Sequence, residues 1–344
     1  MERIGVLTGG GDCPGLNAVI RAVVRMASKN NIKVVGIKDG WKGLINTDTM
    51  ELDLKVVSDI VTKGGTILGT SRTNPYKNKE DVAKAIEGYK KLKLDALVAI
   101  GGEDTLGVAN NLWKEKKGLD IVGVPKTIDN DLNATDYTFG FDTAVNIAME
   151  AMDALRTTAE SHHRVMVVEI MGRHAGWIAI HSGLGAGADV ILIPEVPIDL
   201  DEVCGILKRV RAGGKLYSIV AVAEGAQFKA RQVVTQEEQL DAFGHVKLGG
   251  IGERLAEEIE KRTGFETRSV VLGHLQRGGA PSAFDRVLGT KFGVKAVELI
   301  LAKKFGYMAS LSGNEIKEVP MEAAVGKLKT VDTKFYDMAK IFFG

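Results

Sequence analysis

Ile4-Gly-Val-Leu-Thr8 runs straight into Gly9-Gly-Gly-Asp-Cys-Pro-Gly-Leu-Asn17: a short apolar stretch that stops on glycine. Beyond it, Ala18, Val19, Ala22, Val23 and Met26 recur at i, i+3 and i+4, with Pro14 near the start, as in a helix with one buried stripe. Strand, glycine turn and helix thus follow in direct succession, and the pattern repeats. Val34–Ile37 precedes Asp39-Gly40, Leu97–Ile100 precedes Gly101-Gly-Glu-Asp104, and Ile121–Val124 precedes Pro125-Lys-Thr127. Val165–Ile170, Val190–Ile193, Ile219–Ala223 and Val270–Leu272 end in the same way. Continuous apolar runs this short read as strands buried on both faces, hence a parallel sheet. Helical patterns lie between them at Val82–Leu92, Thr105–Trp113, Ala144–Leu155, Leu200–Val210, Gly252–Ile259 and Phe284–Ile300. The alternation predicts an open α/β fold, whose ligands sit beyond the carboxyl ends of the strands. A change of unit is expected near Gly140, and Phe228–Gly250 reads as a polar insertion.

Length and composition agree. A chain of 344 residues with 45% apolar and 26% charged side chains has material for about two domains and is not a disordered or fibrous sequence. Its 45 Lys and Arg balance 44 Asp and Glu, so any anion site must be built locally, and nucleic acid and membrane are not expected partners. Cys13 and Cys204 form no disulfide framework, the six histidines show no zinc spacing, and no apolar run suits a membrane span. Met1-Glu-Arg-Ile enters a strand directly rather than a signal peptide, so the expected location is cytoplasmic.

Three turns carry the chemistry. Gly9–Gly15 offers backbone N–H groups and a helix start to an anion, yet Pro14 breaks the dinucleotide fingerprint and Leu16-Asn17 replaces the Lys-Ser/Thr of a P-loop. Gly101-Gly-Glu-Asp-Thr105 pairs donors with two carboxylates, an arrangement suited to phosphate only with Mg²⁺ between them. Pro125-Lys-Thr-Ile-Asp-Asn-Asp131 brings a lysine and two carboxylates two positions apart; one can act as base while the other holds metal or orients a group. Arg72, Arg164, Arg173, Arg268 and Arg277 suggest clamps for two phosphate groups. Taken singly, each feature also reads as a capped helix, an Asx turn or a surface ion pair.

As an ordered set, the motifs resemble the 6-phosphofructokinase family over nearly the whole chain, with Gly64-Gly-Thr-Ile-Leu-Gly-Thr-Ser-Arg72, Met171-Gly-Arg173, Glu224-Gly225 and Gly273-His-Leu-Gln-Arg-Gly-Gly279 completing the series. The resemblance implies two Rossmann-like three-layer α/β/α domains with mainly parallel sheets and the active site between them. The boundaries expected are 1–140 plus 276–325 for a phosphoryl-donor domain and 141–275 plus 326–344 for a sugar-phosphate domain. It implies phosphoryl transfer to the 1-hydroxyl of fructose 6-phosphate with Mg²⁺. Asp129 matches the base, with Thr127 and Asp131 beside it, and Arg72 and Arg173 match cations around the transferring group. Gly11, Asp104 and Thr105 fall to the donor and Glu103 with Asp104 to the metal. Arg164, Arg268, His274 and Arg277 match the clamp on the 6-phosphate, and Met171, Gly172 and Glu224 the sugar contacts. Residues matching Arg164 and Arg268 come from a neighbouring subunit in the family, so a homodimer or homotetramer is implied.

Two positions depart from the ATP-using pattern. Glu103-Asp104 stands where those members read Asp-Gly, and Lys126 replaces a glycine; both changes match the pyrophosphate-dependent branch, so pyrophosphate is the expected donor and fructose 6-phosphate the acceptor. The family's effector pocket is echoed only by Arg21, Arg25, Arg156 and Lys215, with Asp189 replacing a Glu and Gly213 a cation, which predicts weak or no effector response. An ATP-dependent enzyme of the same fold is the nearest alternative, a non-catalytic sugar-phosphate sensor a remote one.

Overall fold

The computed structural model describes residues 1–115, 118–229 and 250–344, so most of the expected polar insertion at Phe228–Gly250 lies outside the described residues. In chain order the first elements are β1 (Arg3–Thr8), α1 (Leu16–Lys29), β2 (Lys33–Ile37), α2 (Trp41–Asn46), β3 (Thr49–Leu52), α3 (Lys79–Lys91), β4 (Ala96–Gly101), α4 (Glu103–Lys114) and β5 (Ile121–Pro125). There follow α5 (Phe141–His162), β6 (Val165–Ile170), α6 (Trp177–Gly185), β7 (Val190–Leu192), α7 (Leu200–Ala212), β8 (Ser218–Ala223), α8 (Ile251–Thr263), β9 (Thr267–Val271), α9 (Ala283–Leu301), β10 (Tyr307–Ser312), β11 (Glu315–Pro320) and α10 (Thr333–Lys340).

The chain divides into two compact units, residues 1–143 with 277–328 and residues 144–276 with 329–344. The first holds a seven-stranded sheet in the order β11-β10-β5-β4-β1-β2-β3. Its central strands are parallel, while β3 and β11 pair antiparallel at the two edges. The second holds a wholly parallel sheet in the order β7-β8-β6-β9. Each unit has its own core, one built around Leu7, Trp41, Leu97 and Leu106, the other around Val167, Val220, Leu207 and Leu255.

All eight apolar runs form strands, because β1, β4, β5, β6 and β8 are covered on both faces and need apolar side chains at nearly every position. Three strands escaped the pattern. β3 and β11 are half-exposed edges carrying Glu51, Glu315, Lys317 and Glu318, and charged edges lack a continuous apolar run. β10 is buried but reads Tyr-Met-Ala-Ser-Leu-Ser, without a run of Val or Ile. Helix α6 was missed for the opposite reason: Trp-Ile-Ala-Ile-His-Ser-Gly-Leu-Gly is largely buried and shows no stripe.

A buried carboxylate joins two helix starts in the first unit. Asp285, in the first turn of α9, is fully buried, and its Oδ2 accepts from Thr143 N at 2.8 Å and Thr143 Oγ1 at 2.5 Å in the first turn of α5. Thr143 Oγ1 in turn accepts from Ser282 N at 2.9 Å. Burial pushes the Asp285 carboxyl up from 3.8 to about 6, although the Thr143 bonds favour its charged form. The folded state therefore holds this proton more tightly than the unfolded chain, and its contribution to stability falls as pH rises from about 4 to about 6. Asp285→Asn keeps an oxygen acceptor for Thr143 but cannot ionise. Its thermal midpoint is expected to gain on wild type across that interval; parallel pH profiles for the two proteins would remove Asp285 from this role.

Candidate active site

In the first unit the chain leaves β1 toward β2 and returns at β4 on the other side of β1, so the strand order reverses between β1 and β4. Ligands of open α/β sheets collect at the carboxyl edge of such a reversal. The turns after β1 and β4 meet there on Thr105, a fully enclosed side chain in the first turn of α4. A Cβ on Gly9 would stand 2.5 Å from Thr105 Oγ1, and one on Gly101 would stand 2.3 Å from Thr105 Cβ. These glycines are thus required by close approach, before any ligand is considered. The Gly64–Arg72 segment backs the first turn: Thr70 Oγ1 donates to Gly10 O at 2.6 Å, and Gly10 N donates to Ser71 O at 3.0 Å. Buried Asn17 fixes that segment, donating to Lys63 O at 3.0 Å and accepting from Ile67 N at 2.9 Å. Sequence reading left Asn17 and Thr70 without a role; a buried amide at a helix start was the available signal for the first.

The turn after β5 joins the same edge, since Lys126 N donates to Gly101 O at 3.0 Å. Lys126 is only 4% exposed, and its Nζ donates to Gly11 O. Burial holds its ammonium below the ordinary lysine value. Lys126 is therefore enclosed by protein rather than solvated. Asp129 follows in a tight turn in which Asp129 N donates to Thr127 Oγ1 at 3.1 Å. Asn130, buried and left-handed at φ 51°, accepts from Thr138 N at 3.0 Å, while Thr138 Oγ1 donates to Thr127 O at 2.7 Å. Asn130 and Thr138 therefore hold the shape of the Thr127–Asp131 turn, a task invisible in their spacing. Cys13, buried beside Lys126, is pushed up to about 12 by burial and is not a reactive thiol.

Arg277 sits on the first glycine turn: Nη1 donates to Asp12 O at 3.2 Å, and a Cβ on Gly11 would stand 2.6 Å from that nitrogen. A residue expected only in the sugar clamp thus also shapes the first glycine turn. Glu103 and Asp104 occupy the first turn of α4, where the helix dipole favours them; Glu103 Oε1 accepts from Gly326 N at 3.0 Å, and Asp104 is exposed. No three His, Cys, Asp or Glu side chains among the described residues form a metal cage. Mg²⁺ needs none, because it commonly takes one or two carboxylates and leaves its other positions to water and phosphate. Glu103, Asp104, Asp129 and Asp131, all on the β4 and β5 turns, offer the hard oxygens for that.

In the second unit β6 lies between β8 and β9, so Met171-Gly-Arg173, Glu224-Gly225 and Gly273-His274 emerge side by side. Gly225 N donates to Gly172 O at 3.1 Å, and Glu224 N donates to Ile170 O at 2.8 Å. A Cβ on Gly225 would stand 1.9 Å from Arg173 O, so no other residue fits without moving the Arg173 backbone. Met171 is buried, Arg173 and Glu224 are half-buried and His274 is exposed. Arg164 and Arg268 do not join them. They lie toward the amino ends of β6 and β9, where Glu266 binds both at 2.7 Å.

Two of the four echoed effector cations have partners within the chain. Lys215 Nζ meets the buried Asp189 carboxylate at 2.5 Å, and Arg156 donates to Ala186 O. Arg21 and Arg25 line an open cavity of about 530 Å³ with Met26, Lys29 and Leu54.

The family model described as Phosphofructokinase matches residues 3–300. A pyrophosphate--fructose 6-phosphate 1-phosphotransferase of Dictyoglomus thermophilum is 55% identical over 342 residues, covering 99% of this chain and 98% of its own. An ATP-dependent 6-phosphofructokinase 3 of Streptomyces coelicolor is 51% identical, covering 98% of this chain and 99% of its own. Among solved structures, the T-state phosphofructokinase of Pichia pastoris matches with a TM-score of 0.83 at 33% identity; the match covers 94% of this chain and 37% of that longer one. The chain belongs to the phosphofructokinase family.

Proposed function

We propose that the chain transfers a phosphoryl group from pyrophosphate to the 1-hydroxyl of fructose 6-phosphate, giving fructose 1,6-bisphosphate and phosphate, reversibly. The observation that carries the choice of donor is Lys126, buried to 4% exposure at the mouth of the glycine turn, where the ATP-using pattern has glycine. A cation already enclosed there needs no mobile side chain to meet a small, highly charged donor.

In this reading Asp129 takes the proton of the 1-hydroxyl as its oxygen bonds to phosphorus, and the bond from that phosphorus to the leaving phosphate oxygen breaks. Thr127 and Asp131 orient the reacting groups. Lys126, Arg72 and Arg173 neutralise charge on the phosphoryl oxygens, the main work in phosphoryl transfer. Gly11, Thr105 and the turns they support bind the donor. Glu103 and Asp104 are the residues to hold Mg²⁺, which when bound neutralises donor charge. Met171, Gly172 and Glu224 position the sugar, and His274, Arg277, Arg164 and Arg268 bind its 6-phosphate. The amino-end placement of the last two supports a homo-oligomer in which they serve a neighbouring copy. No helix among the described residues is long and apolar enough to cross a membrane, which is compatible with the cytoplasm.

ATP is the second reading, favoured by relatives of 47–51% identity named for it. Purified protein assayed with fructose 6-phosphate, Mg²⁺ and each donor separately decides between them: pyrophosphate is expected to support turnover and ATP little. Turnover with ATP alone would overturn the donor and leave the acceptor chemistry standing. The contact of Arg277 with Asp12 adds a prediction. Arg277→Ala is expected to raise KM for the donor as well as for the sugar phosphate, each by roughly tenfold or more, the loss of one charged hydrogen bond. A KM change confined to the sugar phosphate would restrict Arg277 to the clamp.

A further inference from the structure

Gln276 is fully buried within the second unit, and its amide spends both ends on backbone. Oε1 accepts from Met171 N at 3.3 Å, and Nε2 donates to Gly273 O at 3.2 Å. The first contact holds the start of Met171-Gly172-Arg173 after β6. The second holds the start of the Gly273–Arg277 turn after β9, which carries His274. Only a side chain with an acceptor and a donor on one carbon can make both bonds. The backbone ties the same strand ends through Leu272 N, which donates to Glu169 O at 3.0 Å, and Gly225 N holds Gly172 O; the Gln276 amide adds the links at Met171 N and Gly273 O. Gly172 at φ 143° and Gly273 at φ 50° adopt backbone conformations that favour glycine. Neighbouring side chains do not replace it: Glu169 is committed to Gly252 N at 2.9 Å, and Leu275 is exposed.

We infer that Gln276 is a positioning residue for sugar-phosphate binding: its buried amide sets the spacing between the Met171–Arg173 turn and the His274 turn. The inference rests on the reading that these two turns bind fructose 6-phosphate. Gln276 touches no substrate in this role and acts through the backbones of Met171 and Gly273. Because it fixes both sugar contacts before chemistry begins, its loss weakens sugar-phosphate binding more than it slows the bound complex.

Two variants test this. Gln276→Met keeps the volume and removes both hydrogen bonds. Its KM for fructose 6-phosphate is expected to rise roughly 5–50-fold, the cost of leaving buried backbone groups unsatisfied, a larger change than in kcat or the donor KM. Gln276→Glu keeps the acceptor for Met171 N but faces Gly273 O with a second acceptor. A buried carboxyl there titrates above its ordinary range, and when protonated it regains the missing donor. The ratio of its KM to wild type is therefore expected to be high at pH 8 and to fall several-fold toward pH 6; dividing by wild type removes the pH dependence common to both proteins. A thermal unfolding scan shows whether each variant is folded at the assay temperature. Folded variants with unchanged KM, or a Gln276→Glu ratio that does not move with pH, would overturn the positioning role. Absence of fructose 6-phosphate turnover in wild type with either donor would instead overturn the functional reading on which it rests.

Discussion

Asp129→Asn is expected to lower kcat by roughly 10²–10⁴-fold while fructose 6-phosphate binding stays within a few-fold of wild type. The change is nearly isosteric and leaves the turn intact, because the elements that shape it are the Asp129 N–H to Thr127 Oγ1 bond and the contacts of Asn130 and Thr138. What it removes is the capacity to accept a proton from the attacking hydroxyl. Phosphoryl transfer itself asks for alignment and charge neutralisation, which Lys126 and the arginines still provide, so residual turnover is expected rather than none. Steady-state kinetics paired with direct binding of fructose 6-phosphate separates the two quantities. A variant within a few-fold of wild-type kcat would take the role of base away from Asp129; lost binding with preserved kcat would make it a sugar contact.

The donor prediction concerns Asp104 and Lys126, and the structure changes their relative weight. Two like charges about 4 Å apart repel by about 4 kcal/mol at an effective dielectric of 20 but by only about 1 kcal/mol in water. Those limits correspond to roughly a thousandfold and roughly fivefold in affinity. Asp104 is exposed, so its repulsion of a nucleotide's inner phosphate lies nearer the lower limit. Lys126 is buried and bonded to Gly11 O, so its removal deletes an enclosed cation and loosens the glycine turn as well. Lys126→Gly is therefore expected to raise the KM for pyrophosphate or lower its kcat by roughly a hundredfold or more, the loss of a charge-assisted contact in an enclosed setting. Asp104→Gly is expected to improve ATP use relative to pyrophosphate use by roughly fivefold or more. The double variant should show both effects and favour ATP relative to wild type. Both donors, titrated separately against all four proteins, give the test. A Lys126→Gly enzyme that uses pyrophosphate as well as wild type would end the assignment of donor specificity to this lysine.

The parallel strands were legible because burial on both faces demands a continuous apolar run, a property of neighbouring residues alone. The three turns proposed to carry the chemistry drew notice for a related reason: glycine, lysine and carboxylates cluster at the ends of such runs. Edge strands β3 and β11 were not, since a strand with one free edge tolerates charge and loses its pattern.

What only the tertiary structure decided is which of those residues meet. Gly9 and Gly101 stand in separate turns along the chain, yet one side chain, Thr105, excludes a Cβ at both. Arg277, remote in sequence, closes on the backbone of Asp12, while Arg164 and Arg268, read as members of the same clamp, lie toward the amino ends of their strands against Glu266. Lys126 could have been solvated on any local argument, and Gln276 could have been an ordinary polar turn residue. Their burial depends on packing between segments far apart in the chain, and that packing turns one into an enclosed lysine bonded to Gly11 O and the other into a tie between two backbones. Residue type sets what a side chain can do chemically; the long-range packing sets whether water or protein surrounds it, and with that the strength of its charge and hydrogen bonds.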